Sequence, residues 1–174
     1  MASGLPQAGP VSPEATSRHR YPFHPALVTV PIGSWTASFI FDIASHLVSK
    51  PAFLTSGSKW LIVIGIVGAA AASVVGFVDL ASIPTGTTSY RVACFHMALS
   101  ITVTCAYVVN IGWRLHAPGG GGPVARGVLE LSGASIAALV LSGFLGGRLA
   151  HRYGVGVALQ ATQPGGYRMD RPHP

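Results

Sequence analysis

Long apolar stretches broken by short polar joints fill most of the chain. Four runs stand out, at about 25–47, 60–83, 90–113 and 124–149. Each supplies the roughly 20 apolar residues that a helix needs to cross the hydrocarbon of a bilayer. Trp60, Tyr90 and Trp113 fall at run ends, where aromatic rings settle at the membrane interface. Pro51 with Gly57, and Pro84 with Gly86, mark the first two joints. The third, residues 116–123, contains four consecutive glycines and reads as a flexible loop. The pattern predicts an all-α, polytopic membrane protein, an antiparallel bundle of four transmembrane helices over residues 23–157. Residues 1–22 and 158–174 are rich in Pro, Gly, Ser or Arg and are expected to be disordered tails. No internal duplication stands out among the runs.

The polar residues inside the runs follow helical phase. In the first run His24, Pro31, Trp35, Ser38 and Asp42 recur at intervals that share one face, and His46 follows Asp42 by one turn. In the second, Asp79 continues a face of Gly65, Gly68, Ala72 and Gly76, small residues that let helices approach closely in lipid. The third carries His96, Ser100, Tyr107, Asn110 and Arg114, and the fourth Glu130, Gly133, Ala137, Phe144, Arg148 and His151. Ionisable groups in a bilayer normally face the bundle interior and find partners there. His24, Asp79, His96 and His151 gather toward the end that holds both termini, here side A. His24 lies at the membrane edge, and Asp79 is within reach of His96 across the second joint. Asp42, His46, Arg114, Arg126 and Glu130 gather toward the opposite end, side B. There the one-turn spacings suggest two structural pairs, Asp42 with His46 and Arg126 with Glu130.

Composition supports the membrane reading, since only 9% of residues are charged, against about 25% in soluble domains. The net charge of +6 does not indicate a nucleic-acid partner, because the basic residues are scattered at run ends rather than gathered in a stripe. Side A holds seven of them (Arg18, Arg20, Arg91, Arg148, Arg152, Arg168 and Arg171) and side B four (Lys50, Lys59, Arg114 and Arg126). That bias orients both termini toward the cytoplasm. The beginning of the chain has no apolar core of the kind a cleaved secretory signal requires. Cys94 and Cys105 lie eleven residues apart in one run, roughly 16 Å along a helix and too far for a disulfide.

Four segments carry a resemblance: HPALVTVPIGSWTASFIFD at 24–42, GAAAASVVGFVD at 68–79, FHMALS at 95–100 and LGGRLAHRYGVGV at 145–157. The chain resembles a bacterial membrane family known as domain of unknown function 2231. It differs from the common pattern at Ser100, where asparagine is usual, and in the order of His151 and Tyr153. The resemblance implies a small four-helix integral membrane protein of a bacterial family whose members are sometimes found beside or fused to iron–sulfur ferredoxin-like modules. It implies no settled activity.

Two classes of function fit these residues. In the first, His24 and His96 are axial ligands of haem b in an electron-transfer subunit, with Asp79 nearby and Arg18, Arg20 or Arg91 for the propionates. A variant of it makes His24, His96, Asp79 and His151 a metal or proton site. In the second, the buried His and Asp residues only hold the helices in register, and the protein is a structural or assembly subunit. Beyond the lipid bilayer, the expected partner is a redox protein or a second copy of the chain. No nucleophile with base and orienter is present, so a hydrolase is not expected. The glycine run follows no strand and lacks the lysine of a phosphate-binding loop.

Overall fold

The computed structural model describes residues 23–116, 121–153 and 155. Four helices follow one another: α1 Phe23–Ser45, α2 Ala52–Ala81, α3 Thr88–His116 and α4 Arg126–Tyr153. All four are long and apolar enough to span a membrane. The expected tails and part of the glycine run lie outside the described residues.

The helices form a four-cornered antiparallel bundle. α1 packs most closely on α2 and α3 on α4, while the α2–α3 and α1–α4 seams are looser and the diagonal pairs stand apart. The bundle is therefore two tight hairpins laid side by side. Their inner faces are largely the expected ones. α1 buries Pro31, Trp35, Ser38 and Asp42, and α3 buries Val103, Tyr107, Asn110 and Arg114. The outward faces present Val67, Val74, Phe77, Val109 and Val140, as expected for surfaces that meet lipid.

Two readings of the sequence are corrected. α2 begins eight residues before the expected Trp60, directly after Pro51. Its start does not read as part of the apolar run because Thr55, Ser56, Gly57, Ser58 and Lys59 interrupt it, yet Thr55 and Ser58 are buried inside the bundle. Gly57 is therefore a packing glycine rather than a turn residue, since a Cβ there would meet the Phe41 ring at 2.9 Å. The stripe expected on α4 is also out of phase. Glu130 and Phe144 are exposed, and the buried line runs through Val128, Ser132, Ser135, Ser142 and Leu149.

The middle of the bundle is closed by aromatic stacking. Trp35 and Tyr107 lie face to face with ring centres 4.1 Å apart at 12°, both essentially inaccessible and packed with Ile62, Ala69 and Val103. The Trp35 Nε1–H donates to the Ile62 carbonyl at 3.3 Å. Gly65 makes room for this indole, and Gly68 makes room for Val30 and Pro31 where α2 crosses α1. Gly65→Ala should thus cost about 1–3 kcal/mol through overpacking, read as a lower unfolding temperature in detergent. Gly133→Ala meets Phe39 only at an ordinary 3.6 Å and should be neutral or slightly stabilising in the same assay.

Candidate functional site

Polar residues gather at two centres, one on each side of the aromatic layer. At side B the centre is an ion pair across the bundle. Arg114 of α3 grips Asp42 of α1 with two parallel bonds, Nη1 to Oδ1 at 2.9 Å and Nη2 to Oδ2 at 2.5 Å. Arginine suits this role because its planar fork matches a carboxylate. The remaining guanidinium N–H groups go to Asn110 Oδ1 at 2.7 Å, Ser58 Oγ at 3.0 Å and Ser132 Oγ at 3.5 Å. Ser58 donates to Asp42 Oδ1 at 2.6 Å, and Asn110 Nδ2 donates to Ser132 Oγ and the Val128 carbonyl. Every donor of the guanidinium is satisfied, and residues of all four helices take part. Such a centre has no open valence for a ligand and acts as a structural lock.

That finding revises the expected side-B pairs. Asp42 turns to Arg114 rather than to His46, which is exposed in the turn after α1. Arg126 and Glu130 are both exposed at the start of α4. Ser58 and Ser132, which complete the network, were missed. The serine spacing at 132, 135 and 142 was the available signal.

The side-A centre is open. His24 and His96 face one another with ring centres 6.4 Å apart and planes at 82°. Each is held by the partner helix of its own hairpin. The His24 Nδ1 lies 3.0 Å from the Ala72 carbonyl on α2, and the His96 Nδ1 lies 2.9 Å from the Ser142 carbonyl on α4. A carbonyl only accepts, so each Nδ1 carries a proton, which in a neutral imidazole leaves Nε2 as the accepting nitrogen. The two hairpins use the same local device. The residue one turn after each carbonyl is a glycine, Gly76 or Gly146, and a Cβ there would meet the histidine ring at 3.1 or 3.2 Å.

His24 is half-buried and meets α2 well inside the bundle. The carbonyl it meets, on Ala72, lies nine residues inside the end of α2, about 13 Å on a helical rise. His96 lies eight residues inside the start of α3, about 12 Å. The two imidazoles therefore share one depth in the bundle.

Both histidines line a cleft of about 400 Å³ between the hairpins. Trp35 lies at its inner end, Asp79 and His151 also line it, and Gly143 and Gly147 border it on α4. Arg91 is exposed and does not line it; Arg18 and Arg20 lie outside the described residues. Rather than engaging across the second joint, the His96 Nδ1 turns to α4. Among the described residues no group of three or more His, Cys, Asp or Glu could hold a metal ion.

An internal two-fold relation links the centres and corrects the reading that no duplication is present. Asp42 and Arg114 are 72 positions apart; His24 and His96, and Trp35 and Tyr107, share that separation. FHPAL at 23–27 recurs as FHMAL at 95–99. Equivalent positions of the two hairpins thus meet across the bundle axis in three successive layers.

Residues 20–159 match the family described as "Predicted membrane protein (DUF2231)". The chain belongs to this family. No curated protein and no solved structure matches it. In this DUF2231 integral membrane protein the matched span contains both polar centres, so the lock and the open cleft belong to one family unit.

Arg114→Met should destabilise the bundle by about 3–5 kcal/mol, because it leaves the Asp42 carboxylate buried without its cation. Adding Asp42→Leu should recover most of that loss, giving a strong coupling in a double-mutant cycle of unfolding in detergent. Simply additive losses would contradict the pairing.

Proposed function

We propose that this DUF2231 protein binds a b-type haem between its two hairpins, with the Nε2 atoms of His24 and His96 as axial ligands, and serves as a membrane electron-transfer subunit. The observation that carries this reading is the spacing of the two imidazoles. A metal–imidazole bond is about 2.0–2.1 Å. With about 1.1 Å from that nitrogen to the ring centre, two imidazoles trans on one metal have centres about 6.3 Å apart. The observed separation is 6.4 Å. Trans imidazoles tolerate any rotation about the metal axis, so the near-perpendicular ring planes are compatible with it.

Second contacts support the same reading. Ligating histidines commonly donate their other N–H to a backbone carbonyl, which fixes ring and tautomer, and both rings here do so. Among the described residues no third His, Cys, Asp or Glu joins His24 and His96 in a metal-holding group. That suits a metal that brings its own equatorial nitrogens better than a bare zinc ion, which takes three or four protein ligands. When bound, haem supplies a one-electron Fe(III)/Fe(II) couple, and two axial histidines leave no open position for oxygen chemistry. We also take the protein to lie in a bacterial inner membrane with its terminal segments, 1–22 and 158–174, in the cytoplasm, on the arginine bias of side A.

The competing reading is structural, because the bonds of His24 and His96 to carbonyls of neighbouring helices also clamp each hairpin. The test is a reduced-minus-oxidised visible spectrum of the detergent-purified protein with haem stoichiometry. Soret and α bands at one haem per chain are expected, absent in His24→Ala and in His96→Ala while both variants still insert. A wild-type protein that stays colourless after incubation with hemin would overturn the proposal.

A further inference from the structure

We infer that the haem site exchanges electrons through side A only, with a water-soluble one-electron carrier at that face, and is not one end of a route across the membrane. The inference rests on the haem reading above and concerns how that site is reached. It follows from the contrast between the two halves of the bundle. From the histidines to side A the helices continue for about 12–13 Å, and the space between them is the cleft, which reaches Asp79 and His151. Toward side B, 21 residues of α1 separate His24 from Ser45, about 31 Å, and the interior is filled. The Trp35–Tyr107 stack with Ile62 and Val103 closes the middle, and the saturated Asp42–Arg114 network closes the end.

A second cofactor would have to bridge that distance, because electron tunnelling falls off exponentially with separation. The described histidines of side B do not offer it a site. His46 and His116 are exposed, and the His116 ring is turned to the Gly112 carbonyl of its own helix at 2.8 Å. At side A the contrast is the cleft itself, which runs from the histidine level past Gly143 and Gly147 to Asp79 and His151. One haem near one face, with a sealed core behind it, carries electrons between a partner at that face and whatever meets the same cleft.

The experiment uses the full-length protein in proteoliposomes with a protease-cleavable tag at the C-terminus, which follows the side-A end of α4. The haem is reduced, excess reductant is removed, and ferricyanide is added outside as a membrane-impermeant oxidant. It takes one electron from each ferrous haem and becomes ferrocyanide. The fraction of haem oxidised should equal the fraction of tags open to external protease, with the rest oxidised only when detergent opens the vesicles. Oxidation of the whole population from outside, or of the fraction with protected tags, would overturn the inference. A preparation with no haem spectrum would instead overturn the reading on which it rests, so the two failures are distinct.

Discussion

In hydrocarbon every buried polar group must find its partner within the protein, and the Asp42–Arg114 pair is where that constraint acts most strongly here. Neither side chain has access to solvent beyond 4%, and either one alone would be an uncompensated charge. The pair therefore fixes α1 against α3, although their backbones do not touch. Ser58 and Ser132 then tie α2 and α4 to the same point. A buried ion pair is weak evidence for net stability, since desolvation offsets much of its attraction. Its consequence is register: with Arg114 opposite Asp42, α3 cannot slide without breaking six hydrogen bonds to the other three helices, four from Arg114 and two from Asn110.

Register at side B sets geometry at side A. α1 and α3 are continuous helices, so fixing one end places Trp35 against Tyr107 and His24 opposite His96. Close packing of the middle depends on small residues of α2: Gly65 admits the indole and Gly68 admits Pro31. Farther up, glycines act differently. Gly76 and Gly146 expose the carbonyl one turn earlier to a histidine, while a Cβ on Gly143 or Gly147 would meet only open space. The same residue type closes the core in one half and leaves the other half open.

Much of the architecture could be read from the sequence because lipid makes few demands and repeats them. Apolar runs of membrane-spanning length gave four helices, and the inner stripes of α1 and α3 followed from helical phase. The errors have physical causes. Hydropathy marks where a helix meets lipid rather than where it begins, so the polar, buried start of α2 was taken for a joint. On α4 the ionisable residues suggested one stripe while the serines occupied the true one, since a hydroxyl is as good a bundle-facing partner as a charge. One-turn charge spacing suggested Asp42 with His46, but a stronger partner lay across the bundle. The histidines were legible as a pair; their shared depth was not, because it depends on which carbonyls of α2 and α4 the two rings meet.

The internal two-fold relation explains why equivalent residues meet and also why they differ. Across a two-fold axis each position faces its own counterpart, so identical hairpins would bring two aspartates or two arginines together at side B. Like charges in a low-dielectric interior repel strongly, and one hairpin paired with a copy of itself would be penalised at that layer. Asp42 on one half and Arg114 on the other turn that penalty into an attraction that only the correct partner supplies. The histidine layer has kept the same residue on both halves. A lock between halves requires complementary groups, whereas the same imidazole on both halves, with ring centres 6.4 Å apart, forms no such pair. The divergence of one layer and the identity of the other thus separate the part of the bundle that holds it together from the part available to a ligand.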